Sequence, residues 1–185
     1  MNILDIILIG ISLSMDAFAV SICKGMSIYK NKYTKALIIG LYFGIFQMLM
    51  PIIGYYIGYK FHDLIINIDH WIAFILLLFI GIKMIKNAIL NENNIDDNIS
   101  IKTMLSLSIA TSIDALIMGL TLSLFNINIL LSVSIIGIIT LILSFVGVII
   151  GNKVGERLGI KSQILGGFIL IIIGMKILFE HLHLI

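Results

Sequence analysis

Long apolar runs alternate with short polar breaks along the whole 185-residue chain. A membrane-spanning helix needs about 20 apolar residues. The runs are too long for buried strands, and they lack the apolar–polar alternation of membrane barrels. The pattern therefore predicts an all-α integral membrane protein with six transmembrane helices. The six predicted spans are approximately Ile3–Cys23, Ala36–Tyr59, Trp71–Leu90, Met104–Phe125, Leu130–Gly151 and Ile164–Leu182.

Composition supports a membrane protein and narrows the chemistry. The chain is 60% hydrophobic and 12% charged, whereas soluble domains average about 45–50% apolar and about 25% charged residues. The single cysteine, Cys23, excludes an internal disulfide and a cysteine-based metal cluster. The net charge of +2 does not indicate nucleic acid, because the lysines lie in short loops. The sequence also contains no GxxxxGK[ST] motif for a nucleotide.

The distribution of basic residues predicts the orientation. Nine lie at or in the loops after spans one, three and five, and only Lys60 lies on the opposite side. The positive-inside rule places those loops in the cytoplasm, with both termini outward. The first span has no basic segment before it and no small-residue cleavage site, so we expect it to be retained. The nine are Lys24, Lys30, Lys32, Lys35, Lys86, Lys102, Lys153, Arg157 and Lys161.

An internal repeat divides the chain. Four glycines of the first half recur in the second half at a constant offset of 93 residues (137 − 44). Since each half has three spans, an odd number, the second half must be inverted relative to the first. We expect one transmembrane domain over 1–185, with repeats at 1–90 and 103–185 and a cytoplasmic connecting loop at 91–102. Inverted repeats of this kind are typical of secondary transporters. The pairs are Gly44 with Gly137, Gly54 with Gly147, Gly58 with Gly151 and Gly81 with Gly174.

Each repeat carries one aspartate inside an apolar span, Asp16 in the first and Asp114 in the fourth. A carboxylate at that depth costs about 2.5–3.5 kcal/mol on insertion scales, so it requires a function or a partner. Two carboxylates near the middle of the membrane can neutralise one divalent cation, and their oxygens suit Mg²⁺ or Mn²⁺. Burial disfavours the charged carboxylate, so the pair can exchange protons for the cation. The alternative is a structural role in helix packing.

Other polar residues have spacings that suit the same site. Ser12 precedes Asp16 by four residues and Thr111 precedes Asp114 by three, so each shares a helix face with its aspartate. Pro51, the only proline, lies inside the second span and is expected to free the backbone carbonyl of Gln47. Gln47 therefore offers an amide side chain and a backbone oxygen at one position. A packing kink is the alternative.

Two further pairs have ambiguous roles. Met15 and Met118 lie near the aspartates, and a thioether ligand would favour Mn²⁺ over Mg²⁺, although methionine in membrane helices usually serves packing. Lys83 and Lys176 are related by the repeat offset of 93. They can balance the aspartate charges when no cation is bound, or they can extend to the lipid headgroups.

Several motifs, in order along nearly the whole chain, resemble those of the manganese efflux pump (MntP type) family. The resemblance implies a six-helix bacterial exporter of Mn²⁺ with two inverted repeats, and it assigns the family's intramembrane aspartates to Asp16 and Asp114. Some members have glutamate where this chain has Gln47, and the family admits arginine at the position of Lys83. The motifs are Ser14-Met-Asp-Ala-Phe-Ala19, Lys24-Gly25, Phe43-Gly44, Pro51-Ile-Ile-Gly54, His70-Trp-Ile-Ala-Phe74, Ala110-Thr-Ser-Ile-Asp-Ala115 and Ile164-Leu-Gly-Gly167.

We therefore expect a proton-coupled Mn²⁺ exporter that works by alternating access, as a monomer or a homodimer. We expect no enzyme activity and no cofactor, with Mn²⁺ as the transported substrate and protons and lipid as the other partners. The alternatives are export of another divalent cation or an amino acid, a membrane scaffold, and an intramembrane aspartyl hydrolase. The hydrolase fits poorly, because Asp16 and Asp114 occur in nearly identical motifs rather than in an asymmetric acid–base pair.

Overall fold

The computed structural model describes residues 3–28, 30–90, 100–122, 128–158 and 160–181. Within these ranges every regular element is an α-helix, which confirms the predicted all-α class. Residues 91–99 of the predicted connecting loop lie outside the described residues, and the next helix begins at Ile101. The helices are α1 (Ile3–Gly25), α2 (Lys32–Leu90), α3 (Ile101–Thr111), α4 (Ile113–Leu122), α5 (Ile129–Leu158) and α6 (Ile160–His181).

Three helical stretches in the described residues are long and apolar enough to cross a membrane: Ile3–Gly25, Lys32–Tyr56 and Ile129–Leu158. They agree with the predicted first, second and fifth spans. Helices α3 and α4 meet at a 43° bend and give a fourth crossing if they pass the membrane together. Helix α6 contains a shorter apolar stretch, Ile164–Lys176. The six-span count and the inverted repeat therefore remain predictions.

The second and third predicted spans belong to one continuous helix, α2, of 59 residues. The sequence analysis places a polar loop between them, whereas the structure continues the helix through this region. The sequence provides a reason, since neither proline nor glycine occurs between Gly58 and Gly81 to end a helix. The side chains of residues 57–70 lie outside the described part of the structure.

The two arms of α2, 32–56 and 71–90, lie side by side rather than along one straight rod. A straight helix of this length would extend about 88 Å at 1.5 Å per residue. In the first arm, Lys32 pairs with Glu156 of α5, which follows the Gly155 that packs against Met26. In the second arm, the Met84 side chain meets Gly166 of α6, which also contacts the backbone of Cys23. Since Cys23 and Met26 both lie at the C-terminal end of α1, both arms reach the same end of the bundle and the chain reverses between them.

Glycines set the closest helix contacts, and these contacts recur with the spacing of the repeat. A Cβ added at Gly147 of α5 would lie 2.9 Å from the carbonyl oxygen of Phe18 in α1. One added at Gly54 of α2 would collide with the carbonyl oxygen of Leu116 in α4. Gly54 and Gly147 are 93 residues apart, and Phe18 and Leu116 are 98 apart, the offset of the aspartates (114 − 16). The α1–α5 and α4–α2 packings are therefore built from corresponding positions.

Candidate cation site

Asp16 lies on the continuous helix α1 at the border between its buried and its exposed faces. The carboxylate is half-buried, the next residue, Ala17, is fully buried, and the preceding Met15 is 53% exposed. Ser12, one turn earlier, is exposed. Asp16 therefore lies closer to the bundle interior than the serine and the methionine that the sequence placed beside it.

Asp114 lies at a break in the helix, unlike Asp16. Helix α3 ends at Thr111 and α4 begins at Ile113, so Ser112 separates them. The Ser112 amide donates to Ile109 O at 3.2 Å, three residues back rather than four. Asp114 is in the first turn of α4 and half-buried, and its Oδ1 accepts a hydrogen bond from the amide of Ala115 at 2.8 Å. This carboxylate therefore binds the backbone at the start of its own half-helix.

Two adjacent hydroxyls explain the break. Thr111, which is buried, donates from Oγ1 to Leu107 O at 3.0 Å, and Ser112 donates from Oγ to Ser108 O. Hydroxyl groups that bond back to carbonyls in this way compete with the backbone hydrogen bonds and bend helices. Thr111 is thus buried beside the break, where its hydroxyl oxygen retains lone pairs for a ligand.

Gln47 of α2 forms a hydrogen bond with α1 at Leu13, three residues before Asp16. It is fully buried, and its Nε2 donates to Leu13 O at 3.1 Å. Its Oε1 is buried with no hydrogen-bond partner among the described residues. One turn later α2 continues through Pro51, whose backbone packs against Gly119 of α4. Helix α2 therefore contacts both helices that carry an aspartate, and Gln47 lies on the stretch that does so.

A buried hydroxyl pair that the sequence analysis did not assign to the site lies between α1 and α5. Ser14 Oγ and Thr140 Oγ1 are 2.7 Å apart, and both residues are fully buried. Each hydroxyl also contacts the carbonyl four residues earlier in its own helix, Gly10 O and Ile136 O. The two hydroxyl groups have only two protons for these three contacts, so at most two of the contacts are hydrogen bonds at any one time. Thr140 follows Gln47 by the repeat offset of 93, and that spacing is the signal that identifies it.

The remaining buried oxygens favour a mixed ligand set. The hydroxyls of Ser108 and Ser144 have no hydrogen-bond partner among the described residues, like Gln47 Oε1. An unsatisfied buried polar atom costs about 1–3 kcal/mol, which is why such atoms usually bind water or an ion. The described residues contain no group of three or more His, Cys, Asp or Glu side chains close enough together to hold a metal ion. A cation site in this part of the chain would therefore combine carboxylates with neutral oxygens.

The methionines and lysines are less closely connected to this region. Met118 is half-buried and packs against an apolar cluster that includes Leu13. Lys176 is exposed on α6, a position that suits contact with lipid headgroups. The side chain of Lys83 lies outside the described part of the structure. The proposed charge-balancing role of the two lysines remains a prediction.

Comparisons with known proteins agree with these features. The chain matches the family described as "Putative manganese efflux pump" over residues 30–178. It is 54% identical over 185 residues to a "Putative manganese efflux pump MntP" of Campylobacter jejuni, with 98% of each chain covered. Proteins of the same name from Desulfitobacterium hafniense and Acetivibrio thermocellus are 50% and 48% identical. These two alignments cover 98% and 100% of this chain and 97% and 94% of the relatives. No solved structure gives a significant match.

Proposed function

This chain belongs to the manganese efflux pump family, and on that premise we propose that it is a secondary transporter that exports Mn²⁺ across the bacterial plasma membrane. The observation that carries the site assignment is the pair of half-buried carboxylates, Asp16 and Asp114, on helices that both pack against α2 near Gln47. Mn²⁺ favours oxygen ligands, and two carboxylates balance its charge.

In the proposed site, Asp16 and Asp114 bind the ion and Gln47 Oε1 supplies a neutral oxygen. Thr111 is a stronger candidate than Ser12 for a further ligand, because Thr111 is buried beside Asp114 and Ser12 is exposed. The end of α3 adds the negative end of a helix dipole. Broken helices whose C-terminal ends face cations are a recurring element of transporter sites. The break at Ser112 supports such a role for α3.

We further propose that the two repeats are inverted copies that rock against each other to expose the site to each side in turn. The recurrence of the Gly147–Phe18 packing as Gly54–Leu116 supports this arrangement. A second correspondence concerns Gly44 and Gly137, which face each other across α2 and α5 and are themselves 93 residues apart. A residue that contacts its own repeat counterpart is expected near a pseudo-twofold axis.

Protons are the proposed counter-ions. Release of Mn²⁺ would leave Asp16 and Asp114 in an apolar surrounding, where each carboxylate gains from binding a proton. Return of protons to the cytoplasm then completes the cycle. The same proposal places the lysine-rich loops in the cytoplasm, as the positive-inside rule predicts.

Gln47 offers a test of the neutral ligand. Replacing it by leucine keeps the volume but removes the amide oxygen, and we expect the KM for Mn²⁺ to rise roughly tenfold, as for other losses of a supporting group at a metal site. Gln47→Glu keeps an oxygen at the same position and should retain transport. Uptake of Mn²⁺ into inverted vesicles measures both variants. Equal KM values for the parent and Gln47→Leu would remove Gln47 from the site.

Metal content of cells tests the function itself. Cells that lack their own manganese exporter would express this chain and be grown with added Mn, Fe, Co or Zn, with and without an ionophore that collapses the proton gradient. We expect cellular Mn alone to fall, and the fall to disappear when the gradient is collapsed. A fall in another metal would make the substrate assignment wrong, and export that persists with the ionophore would exclude proton coupling.

A further inference from the structure

The first part of the connection between α1 and α2, residues 26–28, is buried, which is unusual for a loop between two helices. Met26, Ser27 and Ile28 are 4%, 6% and 2% exposed. The segment lies at the lysine-rich end of the bundle, between Lys24 and Lys30. Backbone hydrogen bonds from these three residues to the last turn of α1 keep it compact.

Helices α5 and α6 hold this segment by its carbonyl groups. Asn152 of α5, fully buried, donates from Nδ2 to Ile28 O at 2.6 Å. Ser162 of α6, also fully buried, donates from Oγ to Met26 O at 3.0 Å. Gly155 lets α5 approach so closely that a Cβ at this position would lie 2.5 Å from Met26 O. We call the segment 26–28 together with Asn152, Ser162 and Gly155 the clamp.

Beside the clamp, an ion pair joins the same two parts of the chain. Lys32 Nζ lies 3.5 Å from Glu156 Oε1, and the two side chains are 32% and 52% exposed. A pair this exposed adds little stability. Every one of these contacts joins the first predicted repeat to the second at one end of the molecule.

In the closed clamp, two buried polar atoms lack hydrogen bonds. Ser27 Oγ and Asn152 Oδ1 are buried without a hydrogen-bond partner among the described residues. Water that enters when the segment moves away from α5 would solvate both atoms, which lowers the energy of the open state. A contact whose closed state leaves polar atoms unsatisfied and whose open state solvates them suits an element that must open and close repeatedly.

We propose that the clamp is the cytoplasmic gate of the transporter, which admits Mn²⁺ to the aspartate site when Asn152 and Ser162 release the α1–α2 connection. The proposal rests on the function proposed above, since a gate at this end requires alternating access. The repeat-related positions, 93 residues earlier, are Tyr59 and Asp69. At the other end, these positions therefore carry neither an asparagine amide nor a serine hydroxyl.

Cys23 is a natural reporter of this gate. It is the only cysteine, it is 1% exposed, and its backbone contacts Gly166 of α6 directly beneath the clamp. A small water-soluble methanethiosulfonate reagent would modify it only when the gate opens. We expect Asn152→Ala to raise the modification rate roughly fivefold, the effect of losing about one net hydrogen bond. Ser134→Ala is the control, because Ser134 is exposed at the other end of α5 and bonds only within its helix.

Equal modification rates in the parent and in Asn152→Ala would overturn the gate. A cross-link provides a test that keeps the clamp residues. With Cys23→Ser, the variant Lys32→Cys/Glu156→Cys would be joined by a short bis-methanethiosulfonate reagent across the ion pair. We expect the joined protein to lose Mn²⁺ transport and to recover it on reduction. Full transport by the cross-linked protein would show that this end does not open.

The rate of Cys23 modification tests the gate, and the export of Mn²⁺ tests the identity of the transported ion. Modification of Cys23 requires no movement of Mn²⁺. If Asn152→Ala raises the rate but the parent exports no Mn²⁺, the gate stands and the proposed substrate is wrong. If the parent exports Mn²⁺ and Cys23 responds to neither Asn152→Ala nor Ser162→Ala, the function stands and the gate is wrong.

Discussion

Replacing Asp114 by asparagine is expected to abolish Mn²⁺ export, and replacing Asp16 should have the same effect. Asparagine keeps the shape of the side chain but removes one of the two charges that balance the ion. Loss of an outer-shell partner alone costs up to about 100-fold in metal affinity, so the loss of a charged ligand should cost at least as much. Initial rates of Mn²⁺ uptake into inverted vesicles, corrected for protein amount, measure the effect.

Asp5 supplies the matched control. It is exposed in the first turn of α1, on the same helix as Asp16 but near its end. Asp5→Asn should therefore transport at close to the parent rate. If Asp16→Asn and Asp114→Asn also transport normally, the carboxylates have a structural role and the scaffold alternative gains support.

Adding a methyl group at Gly54 should destabilise the protein strongly, because the new Cβ would collide with the carbonyl oxygen of Leu116. The contact partner is backbone, so α2 and α4 must separate to accommodate it. Overpacking costs about 1–3 kcal/mol. For a chain of this size, that corresponds to a fall of about 2–12 °C in the midpoint of thermal unfolding. Size-exclusion chromatography of heated detergent extracts measures the midpoint for Gly54→Ala.

Gly10→Ala is the control for this substitution. The nearest atom to a Cβ at Gly10 is the Cδ1 tip of the Ile139 side chain, 3.0 Å away, and the nearest backbone atom is Cα of Ile136 at 3.4 Å. A flexible side-chain end can move at little cost, so we expect a change in midpoint close to zero. A midpoint for Gly54→Ala equal to that of Gly10→Ala would mean that the α2–α4 contact is looser than the structure indicates.

The lengths of the apolar runs were sufficient to predict the helical class and the positions of α1, the first arm of α2 and α5. Between residues 60 and 70 the same pattern predicts a loop, whereas the structure assigns helical backbone there, although the chain reverses between the two arms of α2 as two separate spans require. Polarity does not by itself end a helix, and this stretch contains neither glycine nor proline. The sequence thus predicted where the chain is apolar better than where its helices end.

The aspartates were evident in the sequence, but the difference between their surroundings was not. Both follow a serine by two residues, yet α1 continues through Ser14 whereas the chain breaks at Ser112. Ser14 and Ser112 both bond back to the carbonyl four residues earlier, but Ser14 also has Thr140 of α5 as a partner across the helix interface, whereas Ser112 follows Thr111, which bonds back as well. Such a difference depends on which side chain a neighbouring helix presents, and local sequence does not contain that information.

The most direct test of the central claim is the stoichiometry of Mn²⁺ binding to the purified protein in detergent, measured by equilibrium dialysis or electron paramagnetic resonance. A shared site predicts one ion per chain in the parent and loss of that ion in both Asp16→Asn and Asp114→Asn. Two ions per chain, each lost with only one aspartate, would contradict a shared site. Unchanged binding in both variants would contradict any role of the two carboxylates in holding the ion.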